Sequence, residues 1–298
     1  MSKRQQYLRK LYQVSHERIS VRPKDFKKKM NELDGSESSI LEYDGLLGKI
    51  KDGYSQWKAS LSSSQWEKET QSFSVRFAFD TNKTQRELSL AATKRLLREG
   101  KAPKGRPFWQ WGITPLQDLG EAEAQLELFT EILRSKNDLS LQTILRWHDK
   151  IFSATKPSIA GKIRKHQSTI SGSRFTPPSP LELSALMRDL FAWYKTSKGK
   201  IHPVELAALM HLKLVSAHPF VDGNGRIARL AMNFILFRNG YPMFKIPYEW
   251  VDGYYRAIEE SQVNNCQEAF LAWFARAYVI VNARYSTSEL PKRSQKQK

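Results

Sequence analysis

The segment HPFVDGNGRIAR, residues 218–229, separates two apolar stretches that each have the length and pattern of a helix. HPVELAALMHLKLVSA precedes the connection and RIARLAMNFILFRNG follows it, which predicts a helical hairpin. A simple helix connection needs few polar groups, yet this one contains a histidine, an acid, a Gly-Asn-Gly triplet and two arginines. The sequence therefore predicts paired helices that meet at a polar site.

Most of the remaining sequence also has helical periodicity, for example EAEAQLELFTEILRS and SLQTILRWHDKIF. One stretch, AGKIRKHQSTISGSRFTPPSP at residues 160–180, departs from this pattern. Its β-branched residues surround Ser-Gly-Ser and it ends at Pro-Pro, which is typical of a short hairpin or an extended flap. We therefore expect an all-α fold with one short β-hairpin flap.

The composition narrows the class of protein. A single cysteine, Cys266, excludes an internal disulfide framework and fits a reducing compartment. The basic first residues lack a following apolar core, so no signal peptide is expected, and no apolar run is long enough to span a bilayer. These features predict a cytoplasmic protein.

The net charge of +18 attracts anionic partners, which include nucleotides, nucleic acids, anionic lipids and acidic protein surfaces. The charge alone does not choose among them.

The turn itself has the residues of an anion site. Gly223 and Gly225 are expected to supply unusual dihedral angles that let successive backbone N–H groups point into one concavity. The following helix adds unpaired N–H groups and the positive end of its dipole, which suits a di- or triphosphate. Arg226 and Arg229 are three residues apart, so they share a helix face and can bind further phosphate oxygens.

Two further residues of the turn suggest chemistry. Asp222 beside bound phosphates would be a ligand for Mg²⁺, and His218 would accept a proton from an incoming hydroxyl. Together these features predict phosphoryl or nucleotidyl transfer. The alternative is a plain Gly-Asn-Gly turn between core helices, with surface arginines and a histidine satisfied by packing. That alternative leaves the convergence of so many functional side chains at one turn unexplained.

The segment resembles the signature of the Fic domain family, His-x-Phe-x-Asp/Glu-Gly-Asn-Gly-Arg-x-x-Arg. It matches at every specified position: His218, Phe220, Asp222, Gly223, Asn224, Gly225, Arg226 and Arg229. The flap, the HPVELAALMH helix and the DGYYRAIEE segment are also similar to the family. The resemblance implies a basic N-terminal helical extension at residues 1–73, a Fic domain at 74–280 and a basic flexible tail at 281–298.

The resemblance also implies an activity, because Fic proteins mostly transfer AMP from ATP to a hydroxyl side chain of a target protein and release pyrophosphate. His218 would be the general base toward a target Ser, Thr or Tyr, and Asp222 would bind Mg²⁺. The remaining implied roles are nucleotide and phosphate binding by Gly223, Asn224, Gly225, Arg226 and Arg229, and an apolar anchor at Phe220.

Residues outside the turn receive roles from the same resemblance. The flap would align the target by strand addition at Gln167, Ser168, Thr169 and Ile170. Tyr254 and Tyr255 would lie on the adenine side, with simple packing as the alternative. The other histidines, His148, His202 and His211, are expected to serve packing. The protein acts on a target protein, which includes itself as a candidate, and its N-terminal helices could form a homodimer.

One departure from the family concerns regulation. Many Fic proteins have an inhibitory helix with the pattern Ser/Thr-x-x-x-Glu-Gly/Asn, whose glutamate pairs with the second arginine of the signature. The related helix here lies near residues 74–99, and the best register places Thr81 first and Gln85 at the glutamate position. We therefore expect weak autoinhibition, unless Glu87 takes that role through a local shift.

Two other functions fit the sequence. The first is a Fic relative that uses another nucleotide or donor; the phosphorylating branch usually has a basic residue in place of a glycine of the turn, so Gly225 argues against that branch. The second is a non-catalytic basic scaffold that binds nucleic acid. The charge permits nucleic-acid binding, but no helix-turn-helix or zinc module can be read from the sequence.

Overall fold

The computed structural model describes residues 43–83, 115–247 and 250–286, and these ranges are helical without any strand. The all-α prediction is confirmed for them. The helices are α1 (Asp44–Ala59), α2 (Ser63–Lys83), α3 (Pro115–Arg134), α4 (Leu141–Phe152), α5 (Pro180–Ser197), α6 (Pro203–Ala217), α7 (Asn224–Arg238), α8 (Val251–Val263) and α9 (Glu268–Asn282), followed by a 3-10 turn at Ala283–Tyr285. Within the described ranges, none of these helices is long and apolar enough to cross a membrane.

The chain forms two compact units. One comprises the described residues within Glu67–Ile235, and the other comprises the described residues up to Trp66 together with those from Leu236 onward. The first unit therefore contains the flap and the whole 218–229 segment, and we call it the motif unit. The boundaries expected at residues 73 and 280 stay predictions.

Side-chain caps fix where the helices of the motif unit begin. Ser179 caps α5, and its backbone N–H is bound in turn by Glu182, which forms a capping box. The α6 helix begins at Pro203, as its sequence predicts, and His202 accepts a hydrogen bond from the N–H of Val204. The expectation that His202 serves structure only is consistent with this cap.

The two helices that flank the turn are central to the core. In α6, the buried positions run round the whole helix: Val204, Leu206, Ala207, Ala208, Leu209, Met210, His211, Leu212, Leu214 and Val215. The α7 helix likewise buries Ile227, Ala228, Leu230, Ala231, Met232, Phe234 and Ile235. A helix that is apolar on every side is enclosed by its neighbours. The polar turn is therefore held between two elements with little freedom to move.

The other unit has an aromatic core of its own. Tyr54 of α1 packs edge-on against Tyr285, with ring centroids 5.2 Å apart. A Cβ atom at Gly53 would lie 1.9 Å from the carbonyl oxygen of Tyr285, so only glycine permits this approach. Phe244 packs against Phe274 at 5.2 Å, which joins the segment after α7 to α9.

The flap, residues 160–179, contains no strand, so the expected β-hairpin is absent and the extended alternative describes it. Its turn is closed by a hydrogen bond from the N–H of Ser173 to the carbonyl of Ile170. The returning limb includes Pro177 and Pro178, which have no N–H to donate to a ladder. The side-chain amide of Gln167 joins the limbs instead, with Nε2 2.9 Å from the carbonyl oxygen of Pro177.

Candidate active site

The turn between α6 and α7 is closed by reciprocal hydrogen bonds. The side chain of Asn224 accepts from the N–H of Phe220 at 2.8 Å and donates to its carbonyl oxygen at 2.8 Å. The α7 helix begins at Asn224, two residues earlier than the sequence pattern indicated. The Asn224 side chain is therefore fixed inside the turn, where it holds the backbone of Phe220 in place.

Glycine occupies two positions of the turn, for a different structural reason at each. Gly223 has a φ of +83°, and a Cβ atom there would lie 2.5 Å from Cε2 of Phe152. Gly225 is helical, so the expectation that it supplies an unusual dihedral is wrong. A Cβ atom at Gly225 would instead lie 3.1 Å from Nη1 of Arg229, which shows that its small size makes room for the guanidinium.

The two arginines of the turn have opposite electrostatic surroundings. Buried Arg226 donates to Oδ1 of Asp222 at 3.0 Å and to Oε2 of Glu121. Arg229 is 6% exposed and has no ion pair with a described residue, and its Nε atom lacks an acceptor there. A buried cation without a counter-ion is costly, so this guanidinium favours binding of an anion.

Asp222 belongs to a closed ring of alternating charges. Nζ of Lys156 lies 2.7 Å from Oδ2 of Asp222 and 3.1 Å from Oε1 of Glu121, and Arg226 contacts the same two acids from the other side. Burial alone would raise the pKa of Asp222, but Arg226 and Lys156 hold it below its ordinary value. The carboxylate is therefore ionised at neutral pH.

His218 ends α6 in a left-handed conformation, with φ 46° and ψ 55°. Burial lowers the pKa of this half-buried histidine, and the nearby guanidinium of Arg164 lowers it further. Its Nδ1 atom lies 3.4 Å from the carbonyl oxygen of Val215, which favours a proton on Nδ1. The neutral imidazole then presents the lone pair of Nε2, as a general base requires.

Comparison with known proteins identifies the part of the chain that contains this turn. Residues 138–236 match the Fic/DOC family. The chain therefore contains a Fic domain. Its curated relatives include protein adenylyltransferase Fic from Drosophila melanogaster, 33% identical over 173 residues, and protein adenylyltransferase fic-1 from Caenorhabditis elegans, 34% identical over 181 residues. These alignments cover 58% and 60% of the chain but 34% of each relative, so the chain spans about a third of their length.

Solved structures of Fic proteins have a similar fold. A Fic domain containing signaling protein from Bacteroides thetaiotaomicron matches with a TM-score of 0.66 and 28% identity, over 80% of this chain and 96% of that one. Fic-1 from C. elegans matches with a TM-score of 0.67 and 26% identity, over 80% of this chain and 70% of that one. The helical architecture expected from the resemblance is thus confirmed.

The Fic domain fits a magnesium ion only together with nucleotide phosphates. Among the described residues, no group of three or more His, Cys, Asp or Glu side chains could hold a metal. Asp222 provides an ionised carboxylate at the turn, and Mg²⁺ commonly binds one or two carboxylates plus phosphate oxygens. The donor set therefore suits a metal–nucleotide complex rather than a resident ion.

The Fic domain also contains site residues that the sequence did not reveal. His148 is fully buried and accepts from the N–H of Gly161 at Nδ1, so its Nε2–H donates to the backbone carbonyl of Asp222 at 3.0 Å. Its ring stacks on Phe220, with centroids 3.9 Å apart, which confirms Phe220 as an apolar anchor. The expectation that His148 serves only packing is incomplete, because it fixes the turn by a hydrogen bond.

The remaining expected site residues lie outside the 218–229 segment of the sequence. In the flap, Gln167 and Thr169 are exposed, while Ser168 and Ile170 are half-buried. Tyr254 is buried against Trp273 at 5.6 Å in the other unit, and Tyr255 is 48% exposed. Thr81 lies near the end of α2, and Gln85 lies outside the described residues. The roles assigned to all these residues stay predictions.

Proposed function

We propose that this chain is a protein adenylyltransferase. A hydroxyl oxygen of a target Ser, Thr or Tyr attacks the α-phosphorus of ATP, the bond from that phosphorus to the bridging oxygen of the β-phosphate breaks, and pyrophosphate leaves. The hydroxyl proton goes to Nε2 of His218. The target is a protein, with this chain itself as one candidate.

The proposal rests mainly on the surroundings of Arg229. Its buried guanidinium has no ion pair with a described residue, and it lies in the first turns of α7, where the helix dipole also favours negative charge. Gly225 keeps a side chain away from this guanidinium. A triphosphate supplies the charge and the acceptor oxygens that the guanidinium lacks.

The surroundings of the imidazole support its role as the base. Burial and Arg164 lower the pKa of His218, so the ring is neutral at physiological pH and able to take a proton. Asp222 is the residue that would hold Mg²⁺, which when bound neutralises charge on the phosphates. Lys156 and Arg226 keep this carboxylate ionised.

Two finer features belong to the same proposal. Because Gln85 stands where an inhibitory glutamate is expected, the enzyme is weakly autoinhibited and binds ATP in a productive pose. Arg229, the arginine that such a glutamate would neutralise, has no acidic partner among the described residues. We further place the enzyme in the cytoplasm, on the basis of its single cysteine.

Incubation of the purified protein with Mg²⁺ and a mixture of nucleoside triphosphates tests the proposal. Intact-mass spectrometry should show added AMP, and His218→Ala should remove the addition without loss of ATP binding. A different added nucleotide would assign another donor. Salt-sensitive DNA binding without any covalent addition would instead support the nucleic-acid scaffold and overturn the proposal.

A further inference from the structure

Within the part of the chain that the structure describes, the side chain of Arg164 is a buried cation whose hydrogen bonds all go to backbone carbonyl groups. It is 3% exposed and forms no ion pair with a described residue. Its three donor nitrogens each have an acceptor: Nε lies 2.8 Å from the carbonyl oxygen of His218, Nη1 lies 2.9 Å from that of His166, and Nη2 lies 2.6 Å from that of Pro178. The planar guanidinium fork holds three such acceptors in fixed directions, whereas an ammonium group is a compact point charge on a flexible stem.

These three carbonyls belong to the parts of the site that must be aligned. His166 precedes the flap residues expected to dock the target, and Pro178 ends the returning limb. The third carbonyl is that of the general base itself. In addition, the backbone N–H of Arg164 donates to the carbonyl of Pro219 at 2.9 Å, so the same residue holds the catalytic turn from both its side chain and its main chain.

The hydrogen bonds from Arg164 to the flap and to the turn together form what we call the clamp. The conformation of His218 explains why this clamp is needed. A left-handed conformation at a residue with a Cβ atom is unfavourable and persists only where the surroundings fix it. The hydrogen bond from Arg164 to the His218 carbonyl contributes this restraint. The flap needs a similar restraint because it has no strand pairing of its own and its limbs are joined by side chains such as Gln167.

We propose that Arg164 is a positioning residue for the transfer reaction, which holds the target-docking flap in register with the general base at His218. This inference rests on the proposed function for its consequence in catalysis, whereas the clamp itself is a property of the folded chain. Its loss should therefore affect transfer to the target far more than nucleotide binding. Nothing in the twelve-residue signature includes this arginine.

The test compares Arg164→Gln and Arg164→Lys with wild type and with Arg188→Gln, a matched change at an exposed arginine on α5. For Arg164→Gln, kcat for AMP transfer should fall on the order of a hundredfold, the loss that a misplacement of about 1 Å produces, while the Kd for ATP changes by less than about threefold. Arg188→Gln should match wild type in both. Equal kcat in wild type and Arg164→Gln would overturn the proposal.

The pH profile separates positioning from a general loss of structure. The charge of Arg164 lowers the pKa of His218 whereas Asp222 raises it, so Arg164→Gln should move the acid limb of kcat/KM to higher pH. Arg164→Lys keeps the charge but not the fork, so it should leave the acid limb in place with a reduced kcat. If the acid limb of Arg164→Gln lies at the same pH as those of Arg164→Lys and wild type, the assignment of Arg164 as a charged neighbour of His218 is contradicted.

Hydrogen exchange tests the clamp without any activity. Amides of residues 165–176 and 218–222 should exchange at least about tenfold faster in Arg164→Gln, while those of α5 and α6 stay as in wild type. Unchanged exchange would overturn the clamp even if transfer is lost. If wild type transfers no nucleotide, the proposed function fails and exchange still decides the role of Arg164. If Arg164→Gln does not fold, Arg164→Lys takes its place in the exchange and transfer measurements.

Discussion

Nζ of Lys156 lies 2.7 Å from Oδ2 of Asp222, so an internal cation occupies the carboxylate that is expected to bind the metal. Lys156 is 37% exposed, so its interaction with Asp222 is screened by solvent and worth about 0.2–1 kcal/mol. A divalent ion must displace this ammonium group before it can reach the carboxylate. Replacement of Lys156 by methionine should therefore strengthen binding of Mn²⁺, measured by electron paramagnetic resonance in the presence of a non-hydrolysable ATP analogue, by about two- to fivefold.

Lys162→Met provides the control for this prediction. Among the described residues, Nζ of Lys162 contacts only the backbone carbonyls of Pro157 and Ser158, so its loss removes a charge without freeing a carboxylate. Mn²⁺ binding by this variant should equal that of wild type. Weaker binding by Lys156→Met than by wild type would show that the lysine assists the site rather than competing for it.

Glu121 should be important for stability because it is the buried partner of Arg226. Glu121→Gln removes the charge from one side of this pair, while Asp222 still contacts the guanidinium. The expected loss is therefore about 1–3 kcal/mol in the free energy of unfolding by urea, below the 3–5 kcal/mol typical of a buried pair that is fully broken. Glu131→Gln, which breaks a surface pair with Arg146, should cost less than about 1 kcal/mol.

A loss for Glu121→Gln as small as that for Glu131→Gln would contradict the assignment of a buried, stabilising ring. The test also bears on the site, because the ring orients both Arg226 and Asp222. If the ring is intact in solution, nucleotide affinity should fall together with stability in Glu121→Gln. It should stay at the wild-type value in Glu131→Gln.

The sequence predicted the two helices on either side of the 218–229 turn because the interactions there are local. The backbone of Phe220 and the amide of Asn224 are four residues apart, and the two arginines lie on the helix that the turn begins. The same reasoning failed for Gly225, because its role depends on the volume of a side chain one helical turn away. A periodic pattern gives the direction of a side chain but not the space around it.

The residues that hold the turn in place, Glu121, Lys156 and Arg164, could not be predicted, because their partners are far away in the sequence. Arg226 is 105 residues from Glu121, Asp222 is 66 residues from Lys156, and His218 is 54 residues from Arg164. No short pattern records such pairings, which depend on how α3, α4 and the flap pack around the turn. The flap was misjudged for a related reason, since side-chain hydrogen bonds replaced the expected ladder.

Stability should decrease in acid because of His211. Burial lowers the pKa of His211 from 6.5 to about 3, and Arg229 contributes to the decrease. Between these values the unfolded chain binds a proton that the folded chain does not, so the free energy of unfolding falls as pH falls below 6.5. The contribution of this histidine is up to about 1.4 kcal/mol per pH unit, and it is fully present only above 6.5.

Urea unfolding of His211→Gln at several pH values between 6.5 and 3 measures this contribution. The variant should show a shallower loss of stability on acidification than wild type, although not a flat one, because the pKa values of His148 and His218 are also lowered by burial. His166→Gln, in the exposed part of the flap, controls for the substitution itself. Parallel pH curves for His211→Gln and wild type would refute the prediction.

Gln85→Glu should restore inhibition if Gln85 occupies the regulatory position. A carboxylate–guanidinium pair about 4 Å apart is worth roughly 4 kcal/mol at an effective dielectric near 20, against about 0.5–1.5 kcal/mol for a neutral hydrogen bond. The difference of about 3 kcal/mol predicts auto-AMPylation reduced on the order of a hundredfold. Equal rates of auto-AMPylation in Gln85→Glu and wild type would discard this register. A higher rate in Glu87→Gln than in wild type would assign the inhibitory role to Glu87.

The two glycines of the turn should respond differently to alanine. Gly223→Ala forces a left-handed conformation on a residue with a Cβ atom and places that atom 2.5 Å from Phe152, so it should cost about 2–4 kcal/mol of unfolding free energy. Gly225→Ala adds a good helix former within α7, so its stability should stay within about 1 kcal/mol of wild type.

The effect of Gly225→Ala should appear in nucleotide binding instead. The new methyl group would lie 3.1 Å from Nη1 of Arg229, so the guanidinium must shift by a few tenths of an ångström from the position that we propose binds the phosphates. Isothermal titration should therefore show weaker ATP binding by a protein whose unfolding midpoint is nearly that of wild type. AMP binding should change less, because Arg229 is expected to contact the β/γ end. Equal losses for ATP and AMP would place the guanidinium elsewhere along the nucleotide.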